Sequence, residues 1–159
     1  MSEINNLCKT NEYNEKIISL YRDFNGKNLS LLDSFYSSKV KFSDPSVEIE
    51  GLSLLKKYYA HVYAPVNEIH FDFSEILHEG HCYTASWLMR ISVKGLNGGR
   101  PYNVRGLSRL NFNQEGLIEV HRDYLDLGEM IYEKLPLQGA VIRFLKKYLN
   151  NQWKKQESV

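Results

Sequence analysis

Two short stretches place acid/base side chains where strand alternation would aim them together. His121 and Asp123 are two apart in GLIEVHRDYLD, so a strand puts an imidazole and a carboxyl on one face, with Leu117 and Leu125 beside them. An acid that orients an imidazole, or acts itself, is a general acid/base device, and such a polar pair is costly to bury without purpose. The alternative for the pair is a solvent- or dimer-facing ladder with Arg105 or Arg109. Asp44 precedes Pro45 and follows Phe42 by two. In a pocket, desolvation would raise its pKa and make it a better base; in a turn, it would cap the bend. Tyr21 lies on an apolar stripe with Ile17 and Phe24, where a buried phenol needs a hydrogen-bond partner. Tyr102, Val104, Gly106, Ser108, Leu110 and Phe112 share one face of another strand, a mostly apolar lining with one hydroxyl. Gly106 could bend that strand as a bulge. His78 and His81 straddle Gly80 without a third ligand nearby, so no metal site is expected. His61 and His70 read as surface histidines.

Elements must position these groups. Tyr13, Ile17, Leu20, Tyr21 and Phe24 recur at helical spacing over 11–25, and Asn25-Gly26 stops the helix. A second helix is predicted over 29–37, with Leu31, Leu32, Phe35 and Tyr36 inward. Alternation over 39–43 predicts a short strand, ended at Asp44-Pro45. Gly51 opens a third helix with Leu52, Leu55, Tyr59, Val62 and Tyr63 on its inner face. From about residue 67 the period becomes two. Long strands are expected from there to Glu79-Gly80, then over 82–93, 101–113 and 117–125, joined by glycine-bearing turns. Trp87 and Met89 share a face, either a pocket wall or a dimer interface. After Asp126 the pattern is helical again, through Leu127, Met130, Ile131 and Leu135, then Leu137, Val141, Phe144 or Leu145, and Tyr148.

The chain of 159 residues is 43% hydrophobic and 25% charged, the balance of an ordinary globular chain. It has no apolar run of membrane-spanning length, and its polar start is unlike a secretory signal. Cys8 and Cys82 are too few for a disulfide framework, and a cytoplasmic location is expected. A net charge of +1 argues against a dedicated nucleic-acid binder. Residues 137–159 carry +4, leaving −3 on the rest. Their basic helix is expected to pack in a dimer or dock back on the domain, with membrane-surface contact the weaker expectation.

Helices gathered before an antiparallel meander predict an α+β fold: a cone-shaped barrel of three N-terminal helices on a strongly curved antiparallel sheet, plus a C-terminal helical extension. The division is 1–126 for the domain and 127–159 for the extension. Such a cone is a natural pocket.

The order of elements, with IISLYRDFNGKN, VKFSDPSVEIEG, NVRGLSRLNFNQEG and GLIEVHRDYLD, resembles the nuclear transport factor 2-like superfamily, and within it the SnoaL-like and ketosteroid-isomerase-like branch. The resemblance spans roughly 13–126. It implies Asp44 as general base, Tyr21 as oxyanion donor, and Ser108 where the isomerases carry a protonated Asp. For SnoaL-like cyclases it implies a last-strand acid, Asp123 or Asp126. The expected function is a cofactor-independent isomerase, cyclase, dehydratase or hydrolase acting on an apolar metabolite. Asp44, Tyr21, His121 and Asp123 would be catalytic, and Tyr59, Val104, Gly106, Ser108, Leu110 and Leu125 would line the pocket. The other class is a non-catalytic module that binds an apolar ligand or lipid, or a dimeric interaction platform. A homodimer through the sheet's outer face is expected.

Overall fold

The computed structural model describes residues 2–135 and 139–148, with side chains from residue 12 onward. Helix α1 (Ser2–Asp23) sends Ile17, Leu20 and Phe24 into the core. A 3-10 turn (Leu29–Ser34) leads into strand β1 (Tyr36–Ser43) and the short β2 (Glu48–Glu50). Helix α2 (Leu52–Tyr63) follows. The long strands are β3 (Val66–Glu79), β4 (Cys82–Val93), β5 (Tyr102–Phe112) and β6 (Ile118–Leu125). A single turn α3 (Leu127–Met130) and a 3-10 turn (Tyr132–Lys134) come next, then helix α4 over 139–148.

The six strands form one curved sheet in the order β2-β1-β6-β5-β4-β3, covered on its concave side by α1 and α2, as the α+β reading requires. β3 to β6 are an antiparallel meander, whereas β1 runs parallel to β6. The concave layer is the hydrocarbon that holds the fold together. Ile17, Leu32, Val40, Leu55, Leu110 and Ile118 are fully buried. Each such side chain contributes about 1.5–3 kcal/mol relative to exposure.

Four local expectations need correction. The second helix stops at Ser34, because Phe35 and Tyr36 already pair with the last strand: Ile118 donates its N–H to the Phe35 carbonyl at 2.8 Å. Tyr36 is therefore a strand residue. β2, across the turn from β1, was not anticipated; a strand of three residues is too short for alternation to register. Ile118, placed by strict alternation opposite His121, is buried on the same side, because pairing slips between Asn111 and Phe112. Gly106 pairs regularly with Trp87 and Leu125, so it makes no bulge.

Beyond Asp126, the chain turns back over the open end of the cone. The Tyr102 hydroxyl donates to the Met130 carbonyl at 2.9 Å, and Arg143 to the Glu133 carbonyl at 2.9 Å. The apolar stripe of α4 does not dock on the domain: Val141, Phe144, Leu145 and Tyr148 are exposed. Leu137, Trp153, Lys154 and Lys155 lie outside the described residues. Among the described residues, no helix is long and apolar enough to cross a membrane.

Candidate active site

The site begins at the middle of β6. His121 and Asp123 point to the concave side, and their pairing partners across β5 are Leu110 and Ser108. Asp123 Oδ1 accepts a short hydrogen bond from the Ser108 hydroxyl and another from His121 Nε2 at 2.9 Å. Ser108 also accepts from Trp87 Nε1 at 2.9 Å and bonds the Tyr21 hydroxyl. Tyr21 lies 3.2 Å from His121 Nε2. On the far side of the ring, Tyr36 bonds His121 Nδ1 at 2.7 Å.

Counting protons fixes the directions around Ser108. A carboxylate only accepts and an indole N–H only donates. Ser108 must give its single proton to Asp123, so Tyr21 donates to Ser108. His121 Nε2 carries the proton given to Asp123. In the neutral ring, Nδ1 accepts from Tyr36. Every buried donor in the cluster has an acceptor, and both of these bonds to Asp123 end on Oδ1. Oδ2 has no protein partner among the described residues.

Electrostatics agree. Burial, and then the negative charge of Asp123, push the Tyr21 phenol well above its ordinary range. Burial raises Tyr36 and Tyr59 too. These phenols stay neutral and act as donors throughout the physiological range.

Asp123 and Tyr21 stand at the polar end of a cavity of about 360 Å³. α2 supplies Tyr58, Tyr59 and Tyr63 to its wall, β3 supplies Ile69 and Phe71, and β4 supplies Trp87 and Met89. Leu127, Met130 and Ile131 close it from the C-terminal turn, so this segment is part of the wall. Trp87 can lie flat there only because residue 106 has no side chain. A Cβ on Gly106 would come within 2.3 Å of the indole.

Asp44 is also on the wall, near the rim, but its oxygens are committed. Oδ1 accepts from the Ser46 N–H at 2.6 Å, the Ser46 hydroxyl at 2.6 Å and the Val47 N–H at 3.0 Å. Oδ2 takes a short bond from Tyr58. Asp44 thus caps the turn and also borders the cavity. Of the other sequence candidates, Tyr59 and Leu125 line the cavity. Ser108, Val104 and Leu110 do not reach it: all three are fully buried behind the wall, and Gly106 faces Trp87. His121 is 1% exposed and reaches the cavity through Asp123, Tyr21 and Phe42, which line it. Asp126 caps α3, accepting from the Gly128 N–H at 2.6 Å, and is not on the wall. His61 is exposed but contributes to the rim.

Sequence reasoning missed Tyr36 and Tyr58. Tyr36 was assigned to a helix; its spacing from Val40 and Phe42 was the available strand signal. Tyr58 sits one residue before the inward Tyr59, and nothing in helical periodicity marks it.

Residues 17–121 match the SnoaL-like domain. The chain belongs to the SnoaL-like family. Solved structures share its fold. A nuclear transport factor 2-like protein of unknown function from Burkholderia pseudomallei is 16% identical, with a TM-score of 0.66 over 75% of this chain and 94% of that one. A protein with a ketosteroid isomerase-like fold from Catenulispora acidiphila, in complex with trimethylamine, is 18% identical, with a TM-score of 0.66 over 79% and 94%. An LEH-like epoxide hydrolase from M. tuberculosis is 12% identical, with a TM-score of 0.62 over 76% and 82%. At these identities the likeness establishes the fold alone. No curated protein matches the sequence.

Proposed function

We propose that this SnoaL-like chain is a cofactor-independent acid/base catalyst acting on a largely apolar small molecule, with Asp123 as the general base. One observation carries the reading: Asp123 is held at Oδ1 by Ser108 and His121 while its carboxylate borders an apolar cavity. A base fixed in this way needs no reorganisation before proton transfer. Oδ2 takes a proton from a substrate carbon or from a water lying against it. Tyr21, on the same wall, gives its proton to Ser108 and so holds the Ser108–Asp123 pair in place. Asp44 is not the base in this reading, because hydrogen bonds already occupy both of its oxygens. It shapes the rim. Ser108 and His121 act through Asp123 as positioning residues.

The test is a screen of apolar ketones, followed by deuterium exchange at the α-carbon, together with apolar epoxides, followed by hydrolysis. Asp123→Asn is expected to reduce kcat at least about 100-fold, while Asp44→Asn retains most of it. Full turnover in Asp123→Asn, with loss in Asp44→Asn, would reverse the assignment.

A further inference from the structure

The walls of the cavity differ from a simple apolar sleeve in two respects. Eight of its lining side chains are aromatic, among them Phe42, Tyr59, Phe71 and Trp87. Two carboxylates, Asp44 and Asp123, border the same space, and among the described residues no lysine or arginine does. Neither carboxylate has a lysine or arginine among its hydrogen-bond partners. Asp44 has Ser46, Val47 and Tyr58; Asp123 has Ser108 and the His121 imidazole. Neither makes an ion pair with a lysine or arginine among the described residues. Two partly buried carboxylates on one apolar cavity, with no lysine or arginine beside them, favour a positive charge between them. Aromatic faces present negative potential and attract cations, most strongly when desolvated. Lys134 Nζ already lies 4.9 Å from the centre of the ring of Tyr102, one of the lining residues.

We infer that the cavity selects a cationic molecule, an amine that is protonated or fully alkylated and carries an apolar body. Its positive group sits among the aromatic rings between Asp44 and Asp123 and pairs with both carboxylates. The apolar body fills the space toward Met89 and Ile91. This rests on the reading of the cavity as a substrate site, but not on Asp123 being the base. Anionic molecules of the same size are excluded by the two carboxylates.

The experiment is equilibrium binding to the full chain, followed through the Trp87 indole N–H resonance, assigned with Trp87→Phe. Three probes of one shape class are compared: benzyltrimethylammonium, its neutral isostere neopentylbenzene, and phenylacetate. The cation is expected to bind at least about 10-fold more tightly than the neutral isostere, and phenylacetate more weakly than either. Asp44→Asn and Asp123→Asn should each weaken the cation about 3- to 10-fold and leave the neutral probe unchanged. Should Asp123→Asn fail to fold, Asp44→Asn carries the test, since its amide keeps the acceptor that the turn needs. Equal or tighter binding of the neutral probe, preference for phenylacetate, unaltered cation affinity in the variants, or no response of Trp87 to any probe overturns the inference. Cation selectivity without turnover in the substrate screen would remove the catalytic proposal and leave this one. Turnover of neutral substrates without cation selectivity would do the reverse.

Discussion

Among the residues of the polar cluster, Asp123 is distinguished by what its neighbours leave free. Ser108 and His121 converge on one oxygen, so the other is available for chemistry. Ser108→Ala removes the hydroxyl that accepts from Trp87 and Tyr21 and donates to Asp123. Stranding those two donors should cost about 1–3 kcal/mol of stability, read as a lower melting temperature, and should lower kcat more than it changes KM. Tyr36→Phe leaves His121 Nδ1 without its donor. A loss of similar size, about 1–3 kcal/mol, is expected in denaturant titration. A variant as stable as the parent would show that the imidazole needs no such anchor. The pairing of His121 with Asp123, and the shared face with Ser108 opposite, were legible because a strand's period of two fixes facing residues. That Trp87 and Tyr36 join them was not legible. Those contacts cross from β4 and β1, and no local pattern records which strands become neighbours.

The elements that carry these residues were readable in proportion to their length. β3, β4, β5 and β6 repeat the alternation often enough to stand out, and their turns hold glycines at positive φ, such as Gly80 and Gly116. The start of β1 was lost because Leu31, Leu32, Phe35 and Tyr36 also satisfy a helical spacing. The slip between Asn111 and Phe112 was invisible because register is set by pairing, which the sequence of one strand does not contain. Gly106 shows the same limit: its role is room for an indole from the neighbouring strand. Gly106→Ala is expected to displace Trp87, costing roughly 1–3 kcal/mol by overpacking and shifting tryptophan emission. Unchanged emission with parental stability would mean that the indole does not lie over residue 106.

At the scale of the whole molecule, the cone is lined by phenols that burial keeps protonated: Tyr21, Tyr36, Tyr58, Tyr59 and Tyr63 all titrate above their ordinary range. In the unfolded chain they lose protons near pH 10. The native state then holds more protons than the unfolded one, so this stability is fully present below about pH 10 and falls as pH rises further. Each phenol contributes a slope of about 1.4 kcal/mol per pH unit. Alkaline unfolding is therefore expected to be steep and to coincide with tyrosinate absorbance. Phenolate appearing several pH units before unfolding would contradict it. The outer face of the sheet presents Leu88, Leu107 and the exposed Tyr124. A homodimer through that face is expected by light scattering at micromolar concentration, and Tyr124→Glu should shift it toward monomer; a parent chain that is monomeric there would rule it out.

The most direct test of the central claim is to map where a hydrophobic epoxide, 1,2-epoxy-3-(4-nitrophenoxy)propane, esterifies the folded chain. A carboxylate oxygen attacks the epoxide carbon, the ring C–O bond breaks, and the alkoxide takes a proton from water. Peptide mass spectrometry should find the adduct on Asp123, absent in Asp123→Asn and slowed by an apolar competitor. Labelling confined to exposed acids such as Asp72, with Asp123 untouched, would contradict a free carboxylate oxygen facing the cavity.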